Sequence, residues 1–305
     1  MSVVIWVPTQ PVADMLAGLE GAVVHVVAPA DGGLPASAAE VEFYVPPFFP
    51  APSALAAMAA MPRLRVVQTL TAGFDRVRPH VPAGAVLCNA RGAHDASTAE
   101  WVVGAAIAVL RQFPYFVTEQ AAGRWSYRFT GTLAGTNVLI VGYGSIGQAV
   151  ERRLEGFDVQ VRRVARSARE GVSPASDLPG LLADADVVIL LAPVTAETRG
   201  MVDAAFLARM KDGALLVNAA RGVLVVTEDL VAEVSTGRLA AAIDVTEPEP
   251  LPPGHPLWTL PNVFITPHVG ASTPYSEREA NRLVRAQAER YLAGQPLKNV
   301  ITGDY

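Results

Sequence analysis

Short apolar runs alternate with amphipathic stretches along this chain. Val3–Val7, Val23–Val27, Glu42–Val45, Arg65–Thr69 and Val86–Asn89 carry the β-branched, apolar content of strands. Between them, Val12–Leu19 and the Ala-rich Ser53–Met61 read as helices. Asp95–Arg111 predicts a long helix, with Asp95 or Ser97 as cap and Trp101, Ala105, Ala108 and Val109 as its apolar stripe. Residues 113–135 are rich in Gly, Pro and aromatic residues and read as a looser segment.

A second series opens at Asn137. Strands are expected at Asn137–Val141, Val159–Val164, Val187–Leu191, Leu215–Asn218, Ala240–Asp244 and Val263–Thr266. Helices are expected after the glycines from Gln148 to about Gly156, at Ala204–Met210 and at Thr227–Thr236. A last long helix, Pro274–Ala293, follows. Strands alternating with helices predict parallel sheets covered on both faces. The fold class is therefore α/β, with two doubly wound parallel-sheet domains. With Gly142-x-Gly144-x-x-Gly147 directly after the strand Asn137–Val141, a Rossmann dinucleotide-binding domain (94–274) is expected to be inserted into a flavodoxin-like substrate domain (1–93 and 275–305). The active site would lie in the cleft between them.

The join between Val141 and the next helix carries the most chemistry. Gly142-x-Gly144-x-x-Gly147 stands directly after an apolar strand. The first glycine permits a tight turn. The second lets backbone approach a pyrophosphate, and the third lets helix pack on strand. An ordinary Gly-rich strand–helix turn has the same spacing, so the context carries the dinucleotide reading.

NAD-binding chains of this kind place Asp or Glu at the end of the second strand. Here that strand ends in Ala165-Arg166-Ser167. Arg166 and Ser167, with Arg163 or Arg169 near, suit a 2′-phosphate. NADP(H) is expected over NAD(H), although NAD(H) stays possible. A solvated basic edge would read the same.

Three later strands end in reactive side chains: Arg221, the acids of Thr246-Glu-Pro-Glu-Pro250, and His268. An arginine can hold a carboxylate and polarise a carbonyl, a histidine can move a proton, and an acid can keep that histidine protonated. Spacing alone leaves their convergence open.

With these residues in view, the chain resembles the D-isomer-specific 2-hydroxyacid dehydrogenase family. The resemblance rests on Gly142–Gly147, on Ala185–Thr195 with Thr198, on Met210–Gly222, on Ala241–Pro250 and on Thr266–Gly270. It implies that Arg221 binds substrate, that Glu249 rather than Glu247 is the catalytic acid, and that His268 is the general acid in reduction. It implies cofactor contacts from Thr98, Gly142, Tyr143, Gly144, Ser145, Ile146, Gly147, Ala165, Arg166, Ser167, Pro193, Thr198, Ala219, Asp244 and Gly270. Thr71, Ala72 and Gly73 resemble the loop that grips the substrate carboxylate. Phe48 and Phe49 occupy the place of the side-chain pocket loop, where an ordinary packed loop is the alternative. Trp258 is expected near the cleft or a partner subunit.

The expected activity is NADPH-preferring reduction of a small 2-oxoacid, glyoxylate or hydroxypyruvate foremost, to the D-2-hydroxy acid. Alternatives are a reductase of bulkier oxoacids such as phenylpyruvate, a phosphite-type dehydrogenase, and a dinucleotide-sensing corepressor-like protein. Glu249, where formate dehydrogenases carry Gln, argues against that branch. A homodimer through the Trp101–Arg128 region is expected. An end at Tyr305 would leave out the C-terminal regulatory domain of many phosphoglycerate dehydrogenases.

Composition narrows the remaining classes. The chain has 305 residues, 51% hydrophobic and 17% charged, enough for about two well-packed domains. A net charge of −5 gives no reason to expect nucleic acid or an anionic membrane as partner. Cys88 is the single cysteine, so no intramolecular disulfide and no Cys-based zinc site can form, and its apolar setting reads as packing. No His pair has metal-ligand spacing, so no metal is expected. The N-terminus lacks a basic leader segment and no apolar run suits a membrane span, so a cytoplasmic protein is expected.

Overall fold

A computed structural model describes residues 2–27, 29 and 33–303. The backbone divides into two compact units, Met1–His94 with Pro274–Tyr305, and Asp95–Thr273.

The first unit holds β1 (Val3–Val7), β2 (Ala22–Val26), β3 (Val41–Tyr44), β4 (Val66–Gln68) and β5 (Val86–Cys88). They form one parallel sheet in the order β2-β1-β3-β4-β5, the flavodoxin-like order. Alternate residues of β1 face opposite layers. Trp6 packs with Tyr44, Met58 and Leu87, while Ile5 and Val7 pack with Phe43 and Val66. The helix Pro274–Leu292 closes the second layer. Its Ala280, Val284 and Ala288 recur every fourth residue and are buried there.

The second unit holds β6 (Asn137–Val141), β7 (Gln160–Ala165), β8 (Ser173–Pro174), β9 (Val187–Leu190), β10 (Leu215–Asn218), β11 (Ala240–Ile243) and β12 (Val263–Ile265). Their order is β12-β11-β10-β9-β6-β7-β8, all parallel. Order reverses around β6, as in a Rossmann sheet. Ile140 and Ile189 face the helix layer containing Ala99, Val102 and Ala106, whereas Leu139 and Val188 face Leu207 and Leu230. The central strands β6, β9, β10 and β11 are covered on both faces, which explains why they read as continuous apolar runs, whereas β7 alternates.

Several helices depart from the sequence reading: the first runs Gln10–Met15 rather than Val12–Leu19, Leu178–Leu181 was not expected, and two others have a clear physical cause. Phe113–Ala121 is helical, inside the segment expected to be loose, because Pro114 sits in its first turn, where a proline starts a helix rather than breaking it. The helix after the glycine turn begins at Ser145 and includes Gly147. A Cβ at 147 would stand 2.8 Å from Gly142 O, so this glycine lets the helix lie against the turn. The two-residue β8 left no apolar run to find.

No single helix among the described residues is long and apolar enough to cross a membrane. Asp95–Leu110 and Phe113–Ala121 reach that length and composition only as a pair bent by 63°. The first of them is largely buried against the sheet and the helix Ser145–Leu154.

Candidate active site

Strand register fixes the working edge of the second unit. Val164, Val141, Leu190, Asn218, Ile243 and Ile265 are paired across the sheet in one row. The next residue of each strand therefore lies on the carboxyl edge: Ala165, Gly142, Leu191, Ala219, Asp244 and Thr266. Four of these six are predicted cofactor residues.

Asp244 organises the end of β11. Its carboxylate is buried and accepts from Thr266 Oγ1 at 2.5 Å, Val269 N at 2.8 Å and Gly270 N at 2.8 Å. Its backbone oxygen accepts from His268 N at 2.7 Å. The turn 266–270 is thus wound around one aspartate. His268 sits in that turn with φ 54°, a left-handed conformation that few non-glycine residues adopt. These bonds hold it against a backbone cost of about 1–3 kcal/mol.

That turn presents the imidazole to Glu249. Nδ1 of His268 lies 2.7 Å from Glu249 Oε1, with both side chains about three-tenths exposed. An ionised carboxylate can only accept, so Nδ1 carries the proton in this pair and the ring is held in one orientation. Glu247 makes no such contact with the imidazole; its backbone oxygen accepts from Thr227 Oγ1 at 2.6 Å.

Arg221 follows β10. Asn218, the last residue of that strand, accepts from Ala220 N through Oδ1 (3.1 Å) and donates to Arg221 O through Nδ2 (3.0 Å). This side chain shapes the turn that carries the arginine, and sequence reading passed over it. An Asn that ends a strand and bonds its own turn was the available signal. Gly222 was also read only as a neighbour. A Cβ there would lie 1.9 Å from Thr246 O, so the Arg221 turn and the acidic loop touch through glycine.

The glycine turn fits a pyrophosphate. Gly142 has φ 103°, and a Cβ there would meet Ala192 N at 2.3 Å. Gly144 is the opposite case. A Cβ there would meet nothing within 4 Å, and Gly144 caps the helix Ser145–Leu154 without a side chain. Open space thus adjoins the first-turn amides, where an anion is favoured. Ser145 Oγ donates to Asp95 at 3.0 Å, and Ile146 is half-buried in the apolar cluster behind the turn. Thr98 is buried in the helix Asp95–Leu110.

Arg166 and Ser167 are exposed just beyond β7. Thr198 Oγ1 donates to Pro193 O at 2.6 Å, tying off the turn after β9. Glu197 in that turn has its carboxyl held below the ordinary range, first by a hydrogen bond with Thr195, next by its own backbone N–H, with burial opposing, and least by the charge of Arg166. Arg163 has another task. It is ion-paired with Glu151, which also accepts from the Tyr143 hydroxyl. Arg169 donates to the Tyr143 carbonyl. These two arginines brace the glycine turn.

In the first unit, Phe48 and Phe49 meet edge to face at 4.9 Å. Phe49 is exposed, and Phe48 stands against His94 at 5.7 Å. His94 is buried with Nε2 2.7 Å from Leu70 O. Thr71, Ala72 and Gly73 form a half-buried turn after β4. Trp258 is half-exposed and donates through Nε1 to Pro252 O at 2.9 Å. Among the described residues no group of three or more His, Cys, Asp or Glu could hold a metal.

Comparison with known proteins bears on the family and the fold. The family model described as D-isomer specific 2-hydroxyacid dehydrogenase, NAD binding domain, matches residues 103–270. A mouse glyoxylate reductase/hydroxypyruvate reductase is 36% identical over 242 residues, 75% of this chain and 74% of its own length. The crystal structure of a D-isomer specific 2-hydroxyacid dehydrogenase from Xanthobacter autotrophicus Py2, in complex with NADPH and MES, superposes with a TM-score of 0.85 at 29% identity, over 98% of each chain. An NADPH-dependent glyoxylate/hydroxypyruvate reductase from Sinorhizobium meliloti, in complex with NADP and sulfate, gives 0.85 at 30% identity over 100% of each.

Proposed function

This chain belongs to the D-isomer specific 2-hydroxyacid dehydrogenase family and is an oxidoreductase with a nicotinamide-dinucleotide domain, and on that footing we propose that it reduces small 2-oxoacids to D-2-hydroxy acids with NADPH preferred. Glyoxylate and hydroxypyruvate are the leading substrates, as the names of the mouse and Sinorhizobium relatives suggest. The observation that carries the reading is the His268–Glu249 pair at 2.7 Å, on a turn wound around Asp244.

The nicotinamide cofactor, held by the Gly142–Gly147 turn, Asp244 and the Arg166 edge, supplies the hydride when bound. Arg221 pairs with the substrate carboxylate and polarises the carbonyl. His268 gives a proton from its ring to the carbonyl oxygen, and Glu249 stabilises the protonated ring that this requires. Thr71, Ala72 and Gly73 hold the carboxylate through backbone amides. Arg166 and Ser167 read the 2′-phosphate, because β7 ends without a carboxylate.

A second substrate class, bulkier apolar 2-oxoacids such as phenylpyruvate, is favoured by the exposed Phe49 beside Phe48. Phosphite oxidation and a sensing role are read as the lesser alternatives.

We also propose a cytoplasmic homodimer. Trp125, Tyr127 and Phe129 are almost wholly exposed along a stretch without regular structure, a patch that suits burial against a second copy. Light scattering on purified protein tests the dimer, and a monomer mass refutes it.

Loss of nicotinamide absorbance with NADPH or NADH and a panel of glyoxylate, hydroxypyruvate, pyruvate and phenylpyruvate tests the activity. Fast NADPH loss with a small oxoacid is expected. Tight NADPH binding with no turnover on any acceptor would instead favour a sensor.

A further inference from the structure

The turn after β4 has its carbonyl oxygens fully engaged. Leu70 O lies 2.7 Å from His94 Nε2. Thr71 O accepts from Thr69 Oγ1 at 2.8 Å and from Ala90 N at 2.9 Å. Ala72 O accepts from Asn89 Nδ2 at 2.6 Å, and Gly73 O accepts from Thr71 Oγ1 at 2.6 Å. By contrast, the N–H groups of Thr71, Ala72 and Gly73 donate to no described residue.

Peptide geometry joins these two facts. A trans peptide unit is planar, and its C=O and N–H point in opposite directions. Holding Ala72 O against Asn89 therefore aims the Gly73 N–H away from the sheet. Whatever fixes Asn89 fixes that aim.

Asn89 is fixed on every side. Its Oδ1 accepts from Arg91 N at 3.2 Å, which assigns the amide orientation and leaves Nδ2 for Ala72. Its backbone N–H donates to Asn299 O at 3.2 Å, and its carbonyl accepts from Asn299 Nδ2 at 3.3 Å. Asn299 adopts φ 54° and also donates to Arg91 O at 2.9 Å. The tail around it is pinned by Lys298 N on Gln287 Oε1 (2.9 Å) and Ile301 N on Leu87 O (2.9 Å). Gln287 is wholly buried and bonds Gln68 in β4.

We propose that Asn89, clamped by Asn299 of the C-terminal tail, is a positioning residue that aims the Gly73 amide at the substrate carboxylate. This rests on the reading of Thr71–Gly73 as the carboxylate loop. A simple turn anchor would make the same bonds, so the test must separate binding from folding. Interactions made equally in ground and transition states appear in KM, whereas a loss of folded protein lowers kcat at unchanged KM.

Asn89→Asp is the sharp variant. It keeps shape and the acceptor for Arg91 N but has no donor for Ala72 O. Its KM for glyoxylate is expected to rise about tenfold or more, the scale of one lost charge-assisted bond, with kcat and the KM for NADPH within about threefold. Asn299→Gly keeps the left-handed backbone while removing the side-chain clamp, and should raise the same KM by a smaller factor. A KM unchanged in Asn89→Asp, or a kcat loss at constant KM, overturns the assignment. If Asn89→Asp does not fold, an unchanged KM in Asn299→Gly overturns it. Wild-type protein that turns over no 2-oxoacid overturns the underlying reading, and the inference with it.

Discussion

A methyl group at position 270 would stand 2.9 Å from Asp244 Oδ2, the oxygen that already accepts the Gly270 N–H at 2.8 Å. The carboxylate cannot retreat without breaking its bonds to Thr266 and Val269. Gly270→Ala is therefore expected to cost about 1–3 kcal/mol, the scale of a disturbed buried polar group. It should also weaken NADPH binding, since Asp244 stands on the carboxyl edge where the cofactor is proposed to bind. Thermal midpoint and calorimetric titration read both effects. An unchanged midpoint would mean that Asp244 swings aside at no cost.

The His268–Glu249 pair makes a graded prediction. His268→Ala should lower reduction by roughly 10²–10⁴-fold, the usual worth of a positioned acid, while NADPH affinity stays unchanged. Glu249→Gln should fall between that variant and wild type, because a neutral amide still orients the ring but no longer favours its charge. Steady-state rates beside calorimetry separate chemistry from binding. Wild-type turnover in His268→Ala would remove the imidazole from the mechanism.

The alternation of apolar runs was enough to place the strands of both sheets apart from the two-residue β8, within a residue or two of their observed ends. The central strands β1, β3, β6, β9, β10 and β11 are largely buried on both faces, and such runs survive any local reading. The glycine motif was readable from its place between strand and helix, whereas His268 and Glu249 were singled out by the family resemblance, since spacing alone left their convergence open. What escaped depends on packing between distant segments. Gly222 matters because Thr246 O lies where its Cβ would be, and Glu151 because β7 brings Arg163 to it. Arg163 looked like a phosphate ligand in sequence for the same reason. Four arginines between 162 and 169 are equivalent in sequence until folding brings Asp184 to Arg162, Glu151 of the preceding helix to Arg163 and the Tyr143 carbonyl to Arg169.

Cofactor choice should follow Arg166 and the missing acid. Ala165→Asp combined with Arg166→Ala places a carboxylate at the end of β7 and removes the cation there. Asp at that position accepts from ribose hydroxyls and repels a 2′-phosphate. The ratio of kcat/KM for NADPH over NADH is expected to drop by roughly tenfold or more, on the scale of a lost charge-assisted contact. An unchanged ratio would show that the phosphate is recognised by other residues.

Acid stability should report on the brace behind the glycine turn. Arg163 donates from Nε to Glu151 Oε2 at 2.9 Å, and the Tyr143 hydroxyl donates to the same oxygen. The Arg163 hydrogen bond is the main cause that holds the Glu151 carboxyl below its ordinary value of 4.5; burial opposes it and Tyr143 assists. A depressed carboxyl pKa means that the folded state binds the proton less readily than the unfolded chain. Its stabilising contribution is complete above the unfolded value and is lost as pH falls through the lower folded one. Glu151→Gln should therefore be less stable than wild type at pH 7, with the gap narrowing below about pH 4. Denaturant midpoints for both proteins at pH 7 and at about pH 3 measure that gap. An equal gap at both values would assign the loss to packing around Tyr143, because a neutral contact does not follow the charge of Glu151.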